Sequence, residues 1–128
     1  MSSKRWKYRT WPGRGQDDSS AGPPQHIHKA EDEAFYVLEG EVAVLLGERT
    51  IRATAGSFVL IPRGTVHAFS RIGQEPAKLL AIFSPPGFER FFEDAVDLDV
   101  TDTDAYLAKA NALAEKYNME IVGPPLEP

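Results

Sequence analysis

Cysteine is absent from this chain of 128 residues. That excludes disulfides, thiolate nucleophiles, zinc–thiolate sites and iron–sulfur clusters, so a metal here must be held by nitrogen and oxygen. No apolar run approaches the length of a membrane span, and no membrane partner is expected. The segment Met1 to Tyr8 is basic, but no hydrophobic stretch follows it. It does not read as a secretory signal, and a cytoplasmic protein is the expectation. Histidine is almost missing too: His26, His28 and His67 are all there are.

The apolar fraction of 42% and the charged fraction of 26% are those of a globular domain, and the length suffices for one core without staples. Charge is unevenly spread. Lys4, Arg5, Lys7, Arg9 and Arg14 give residues 1–16 five positive and no negative charges. The other nine basic and nineteen acidic residues leave the rest about ten charges negative. A basic arm carrying Trp6, Tyr8 and Trp11 invites a nucleic-acid reading. The acidic body would repel phosphate backbones, so no nucleic-acid partner is expected. An arm that docks on its own domain or on a neighbouring subunit fits better.

Residues 1–20 are read as an N-terminal arm, mobile or forming an edge strand. From residue 21 the pattern becomes β: Ala34 to Leu38, Val42 to Leu46, Arg49 to Ala53, Phe58 to Ile61, Val66 to Arg71 and Lys78 to Ser84. Glycine- and proline-bearing turns separate these short runs, which predicts a sandwich or barrel over 21–86. Residues 87–128 read as a helical extension packed on that barrel. Phe88, Phe91 and Phe92 fall at helical spacing, and Thr101 or Thr103 offers an N-cap to a second helix. Leu107, Ala110, Ala114 and Tyr117 give that helix one apolar face, with Asn118 as its stop. The acidic residues Glu93, Asp94, Asp97, Asp99, Asp102 and Asp104 lack EF-hand spacing and read as a solvated, helix-capping surface.

The histidines form a constellation. Alternation along a strand puts His26 and His28 on one face, where both imidazoles can reach one ion. The turn Lys29-Ala30-Glu31-Asp32 can return the carboxylate of Glu33 to the same ion. His67 follows a Pro62-Arg63-Gly64 turn at the start of a strand facing that pair. Three imidazoles and a carboxylate suit one divalent first-row transition metal: iron, manganese, nickel, cobalt, copper or zinc.

These residues also carry a resemblance. His26-x-His28, four residues, Glu33, six residues, Gly40, within Glu-Ala-Phe-Tyr-Val-Leu-Glu-Gly, resembles the first motif of the cupin superfamily. Gly56, Pro62, Gly64 and His67 match its second motif. The resemblance covers about residues 21–85 and implies an all-β double-stranded β-helix, or jelly roll, with a short C-terminal helical segment here. It departs at Gly22, four residues before His26 where the family usually has six, and at Arg71, which stands where an asparagine is common. The chain resembles small bacterial cupins grouped with quercetin-type dioxygenases. That implies His26, His28, Glu33 and His67 as metal ligands, Glu33 also as catalytic base, and a homodimer to which the arm could add a strand.

Strand parity places Phe35 and Val37 on the face of Glu33, and Phe69 and Arg71 on that of His67. The expected pocket is apolar and aromatic with one possible cation, suited to a small-molecule substrate with an aromatic or enolisable group. Plain barrel core is the competing reading of the phenylalanines, and a solvent-facing strand end that of Arg71. Three functions stay open: a metal-dependent dioxygenase, a redox-neutral isomerase, lyase or decarboxylase, and a non-catalytic small-molecule sensor. An arginine facing the metal would favour the second; a deep aromatic pocket would favour the first.

Overall fold

A computed structural model describes residues 5–11, 22–95 and 103–126, with 5–11 and 103–107 described as backbone only. Among the described residues, nine strands and two helices follow in the order β1 (Arg5–Trp11), β2 (Pro24–His28), β3 (Asp32–Glu39), β4 (Glu41–Leu46), β5 (Arg49–Thr54), β6 (Phe58–Ile61), β7 (His67–Arg71), β8 (Ala77–Ser84), α1 (Arg90–Asp94), α2 (Thr103–Lys116) and β9 (Met119–Pro125). They build two sheets, β1-β8-β3-β6 and β5-β4-β7-β2-β9. All pairings are antiparallel. This is the jelly roll that the cupin resemblance implied, within the sandwich or barrel expected from the turn spacing.

Alternation explains the core. Along β8 the residues Ala77, Leu79, Ala81 and Phe83 are buried while their neighbours are half-exposed. Phe35 and Val37 of β3, Val59 and Ile61 of β6, Val42 and Val44 of β4 and Ala53 of β5 join them between the sheets. Side chains from both inner faces therefore fill one layer, as sheet-on-sheet packing requires. A second cluster lies toward the C-terminal elements, where Ala81, Phe83 and Phe88 meet Phe91, Phe92, Tyr117 and Met119.

Two glycines are required by close approach. A Cβ on Gly22 would stand 1.7 Å from the Phe69 carbonyl oxygen, so the chain entering β2 can lie against β7 only without a side chain. Gly40, with φ +77°, turns β3 into β4, and a Cβ there would meet the Pro76 carbonyl oxygen at 2.4 Å.

At the N-terminal end the structure has the edge strand that the sequence reading allowed, and at the C-terminal end it departs from that reading. Arg5–Trp11 pairs residue for residue with β8 of its own chain, from Arg5 opposite Phe83 to Trp11 opposite Ala77. The strand offered for a partner is laid here on the same subunit. Residues 119–125, read with the helical extension, form β9 beside β2. Pro124 and Pro125 hid this strand, because proline is tolerated only at sheet edges, which is where β9 lies. Asn118 does end α2: it takes the left-handed φ of 55° that asparagine tolerates at a helix C-terminus. Thr101, Asp97, Asp99 and Asp102 lie outside the described residues, so the capping expected of them is not tested.

Candidate metal centre

The centre is built where β2, β3 and β7 meet. His26 stands directly opposite His67 across the β2–β7 pairing. His28, two residues on, shares its face. The turn after β2 then reverses the chain so that Glu33 opens β3 in the opposite sheet, flanked by Ile61 and Phe83. The end of β2 is pinned from two sides: Gly64 donates its N–H to the His28 carbonyl at 2.8 Å, and Lys29 to that of Asn118 at 3.0 Å. All four side chains are buried, and their candidate ligand atoms lie within 4.8 Å of one another. Ligands sharing one ion at first-row bond lengths stand about 3 to 4 Å apart, so the widest separation must close by about 1 Å for the set to coordinate.

Hydrogen bonds orient the rings. His26 Nδ1 lies 2.7 Å from the Pro24 carbonyl oxygen and His67 Nδ1 lies 2.9 Å from that of Thr65. Each Nδ1–H is thereby spent on the backbone and each Nε2 left bare toward the centre, the arrangement usual for ligating imidazoles. Burial, with the neighbouring His67 and His28, pulls His26 down to about 3, so it is neutral at ordinary pH. Burial pushes the Glu33 carboxyl up, but hydrogen bonds with His28 and His67 outweigh it and hold the group below the usual carboxylate range.

One contact tests whether a cation fits. Glu33 Oε2 lies 3.0 Å from His67 Nε2 and 3.1 Å from His28 Nε2. A neutral His67 has a single ring proton, and Thr65 takes it. Its Nε2 can then meet the carboxylate only through a second ring proton or a shared cation, because two bare acceptors in a buried place would repel. The donor set therefore fits a divalent metal.

The other expected site residues fall elsewhere. Phe35 and Val37 alternate with Glu33 along β3 but are sealed in the core, with the Phe35 ring centroid 5.5 Å from that of Phe69. Arg71 is buried, not at a solvent-facing strand end. Its Nη1 donates to the Gly73 carbonyl, toward the end of β7 away from His67, and its Nε has no partner among the described residues. The rings against the centre are others: Phe88 at 4.3 Å and Phe83 at 5.8 Å from the His28 ring. Alternation along β8 could have flagged Phe83. Phe88 precedes α1, and only its spacing to Phe91 and Phe92 drew notice. Glu31 lies in the polar turn between β2 and β3, yet it is 7% exposed, and its Oε1 has no hydrogen-bond partner among the described residues.

Comparison with known proteins agrees with this architecture. A family profile described as "Cupin domain" matches residues 17–83. An uncharacterized protein of Streptomyces coelicolor is 37% identical over 69 residues, covering 54% of this chain and 64% of that protein. The quercetin 2,3-dioxygenase of Bacillus subtilis is 32% identical over 84 residues, covering 62% of this chain but 25% of its own length. The chain thus spans less than two thirds of either relative. The solved Cnp3 cupin domain of Schizosaccharomyces pombe superposes with a TM-score of 0.57 at 19% identity, over 81% of this chain and 64% of that one, a likeness of fold alone.

Proposed function

The chain belongs to the cupin family, and from that premise we propose that it is a metal-dependent dioxygenase acting on a small aromatic or enolisable molecule. His26, His28, Glu33 and His67 would hold one divalent metal. The observation that carries this is the buried set of three imidazoles and one carboxylate, oriented by backbone carbonyls and walled by Phe83 and Phe88. The partial likeness to a quercetin dioxygenase supports the same direction.

When bound, a redox-capable metal supplies the electron transfer to oxygen that none of these side chains can perform. The chain's own residues do the rest. His26 and His67, with Nδ1 tied to carbonyls, present Nε2 without needing to reorganise. Glu33 stays ionised, so it can accept a hydrogen bond from an acidic hydroxyl of the substrate. Being held below the usual carboxylate range, it is a weak base and suits an enol or phenol acidified in place. Phe83 and Phe88 wall the centre with apolar surface and keep water from it. A redox-neutral reaction was favoured by a cation at the metal, and Arg71 is turned to Gly73 instead.

The test is oxygen uptake by protein loaded separately with iron, manganese, nickel, cobalt, copper and zinc, against flavonols, catechols and small diketones. Uptake that depends on one metal and disappears in His67→Ala is the expected result. A protein that binds metal one-to-one and consumes no oxygen with any substrate would overturn the proposal.

The active form is proposed to be a homodimer. Tyr36, Phe58 and Leu60 are exposed, with Tyr36 opposite Phe58 and Leu60 opposite Ala34 in the β3–β6 pairing. They form an apolar strip beside the edge strand β6, a surface of the kind that a second subunit covers. The mass of a Phe58→Glu variant in solution tests it.

A further inference from the structure

Of the three ring nitrogens turned away from the centre, two are satisfied. His26 Nδ1 meets Pro24 and His67 Nδ1 meets Thr65. His28 Nδ1 is buried and meets no acceptor. Three residues along the chain, the Glu31 side chain is buried with an oxygen that likewise has no partner. His28 exerts the largest charge effect of any residue on that carboxyl. A buried donor-to-be and a buried acceptor, each unpaired and beside the same turn, need a common explanation.

We infer that Glu31 is the positioning residue of the centre: its carboxylate receives the Nδ1–H of His28 and so fixes that ring as a ligand through Nε2. The inference rests on the reading that the centre holds a metal. The hydrogen bookkeeping follows from the geometry. Where His28 Nε2 shares its hydrogen with Glu33 Oε2 at 3.1 Å, Nδ1 is a bare acceptor, and two acceptors do not pair. To bind a cation through Nε2, His28 must carry that hydrogen on Nδ1 instead. Nδ1–H then becomes a buried donor that costs binding free energy unless an acceptor meets it. Glu31, three residues along the chain with a buried and unpaired oxygen, is the carboxylate we assign to that hydrogen. Carbonyls serve His26 and His67, and a carboxylate–histidine pair would serve the third imidazole.

The backbone around this pair is rigid enough for the role. Gly64 and Lys29 pin the end of β2, and the turn is held beyond Glu31 by Asp32, whose carboxylate accepts hydrogen bonds from the Arg63 backbone N–H at 2.9 Å and its guanidinium Nε at 3.2 Å. Phe88 closes the other side of the His28 ring.

Zinc affinity and histidine 15N spectra of wild type, Glu31→Ala and Glu31→Gln test this without any assay of activity. The expected result is zinc binding weakened roughly 10- to 100-fold in Glu31→Ala. Glu31→Gln should retain most of the affinity, because its amide oxygen still accepts while the charge is gone. In zinc-loaded wild type the His28 signals should report a hydrogen on Nδ1, and in Glu31→Ala that nitrogen should shift as its acceptor is lost. Glu31→Ala with wild-type affinity and an unshifted Nδ1 would overturn the Glu31 assignment while leaving the metal centre intact. A wild type that takes up no zinc would remove both readings.

Discussion

Removing the Phe88 ring should both loosen the C-terminal elements and open the metal centre. Phe88 is 3% exposed and lies at the middle of an aromatic cluster. Its centroid stands 4.8 Å from Phe83, 5.1 Å from Phe91 in a stacked pair, 6.0 Å from Tyr117 and 4.3 Å from His28. It therefore joins β8, α1, the end of α2 and β2 at one point. Truncating a buried phenylalanine to alanine costs about 3–5 kcal/mol, the spread reflecting how far the site collapses. Here collapse is limited on the β8 side, where Phe83 is held by strand pairing, so the upper half of that range is expected. Phe88→Leu keeps most of the volume and loses the ring pairs, each about 0.5–1.5 kcal/mol. Urea unfolding of the metal-free protein measures both. At about 4 °C per kcal/mol, Phe88→Ala should also lower Tm by about 16–20 °C. A loss below about 1 kcal/mol for Phe88→Ala would refute the claim that this ring ties the C-terminal elements to the barrel.

Two further outcomes follow from single contacts. Asp94 accepts hydrogen bonds from Lys116 Nζ at 2.9 Å and from the Tyr117 hydroxyl, and these hold its carboxyl below its ordinary value of 3.8. A depressed carboxylate stabilises the fold above its unfolded value and loses that contribution as pH falls through the folded one. The stability gap between wild type and Asp94→Asn should then be present at pH 6 and close in strong acid; a gap that widens on acidification would contradict the pairing. For the outer face of the β1-β8-β3-β6 sheet, wild type should show the mass of the proposed dimer in light scattering and Phe58→Glu that of a monomer, whereas an unchanged dimeric mass would exclude this strip as the interface.

The sequence made the centre legible because metal ligation leaves a spacing: His26 and His28 alternate on a strand, and glycine and proline turns return Glu33 and His67 to them. The barrel strands were legible for a similar reason, since each buries one face and alternates. β9 was not, because Met119 to Pro125 is short and its prolines argue against pairing until a free edge beside β2 is known. The pocket reading of Phe35 and Val37 came from correct parity, but parity says which face a residue occupies and not whether space remains beside it. Arg71 shows a related gap. No local pattern marks an arginine that is buried against its own downstream carbonyl. Glu31 was hidden by its setting, because a carboxylate in a polar turn looks solvated until its burial is measured.

The most direct measurement is elemental analysis of protein reconstituted with each first-row divalent ion and freed of excess, beside His26→Ala, Glu33→Ala and His67→Ala. One tightly held ion per chain in wild type, lost or severely weakened in the histidine variants whose folds persist by circular dichroism, is the predicted result. A wild type that retains no ion, or histidine variants that retain it undiminished, would contradict the central claim.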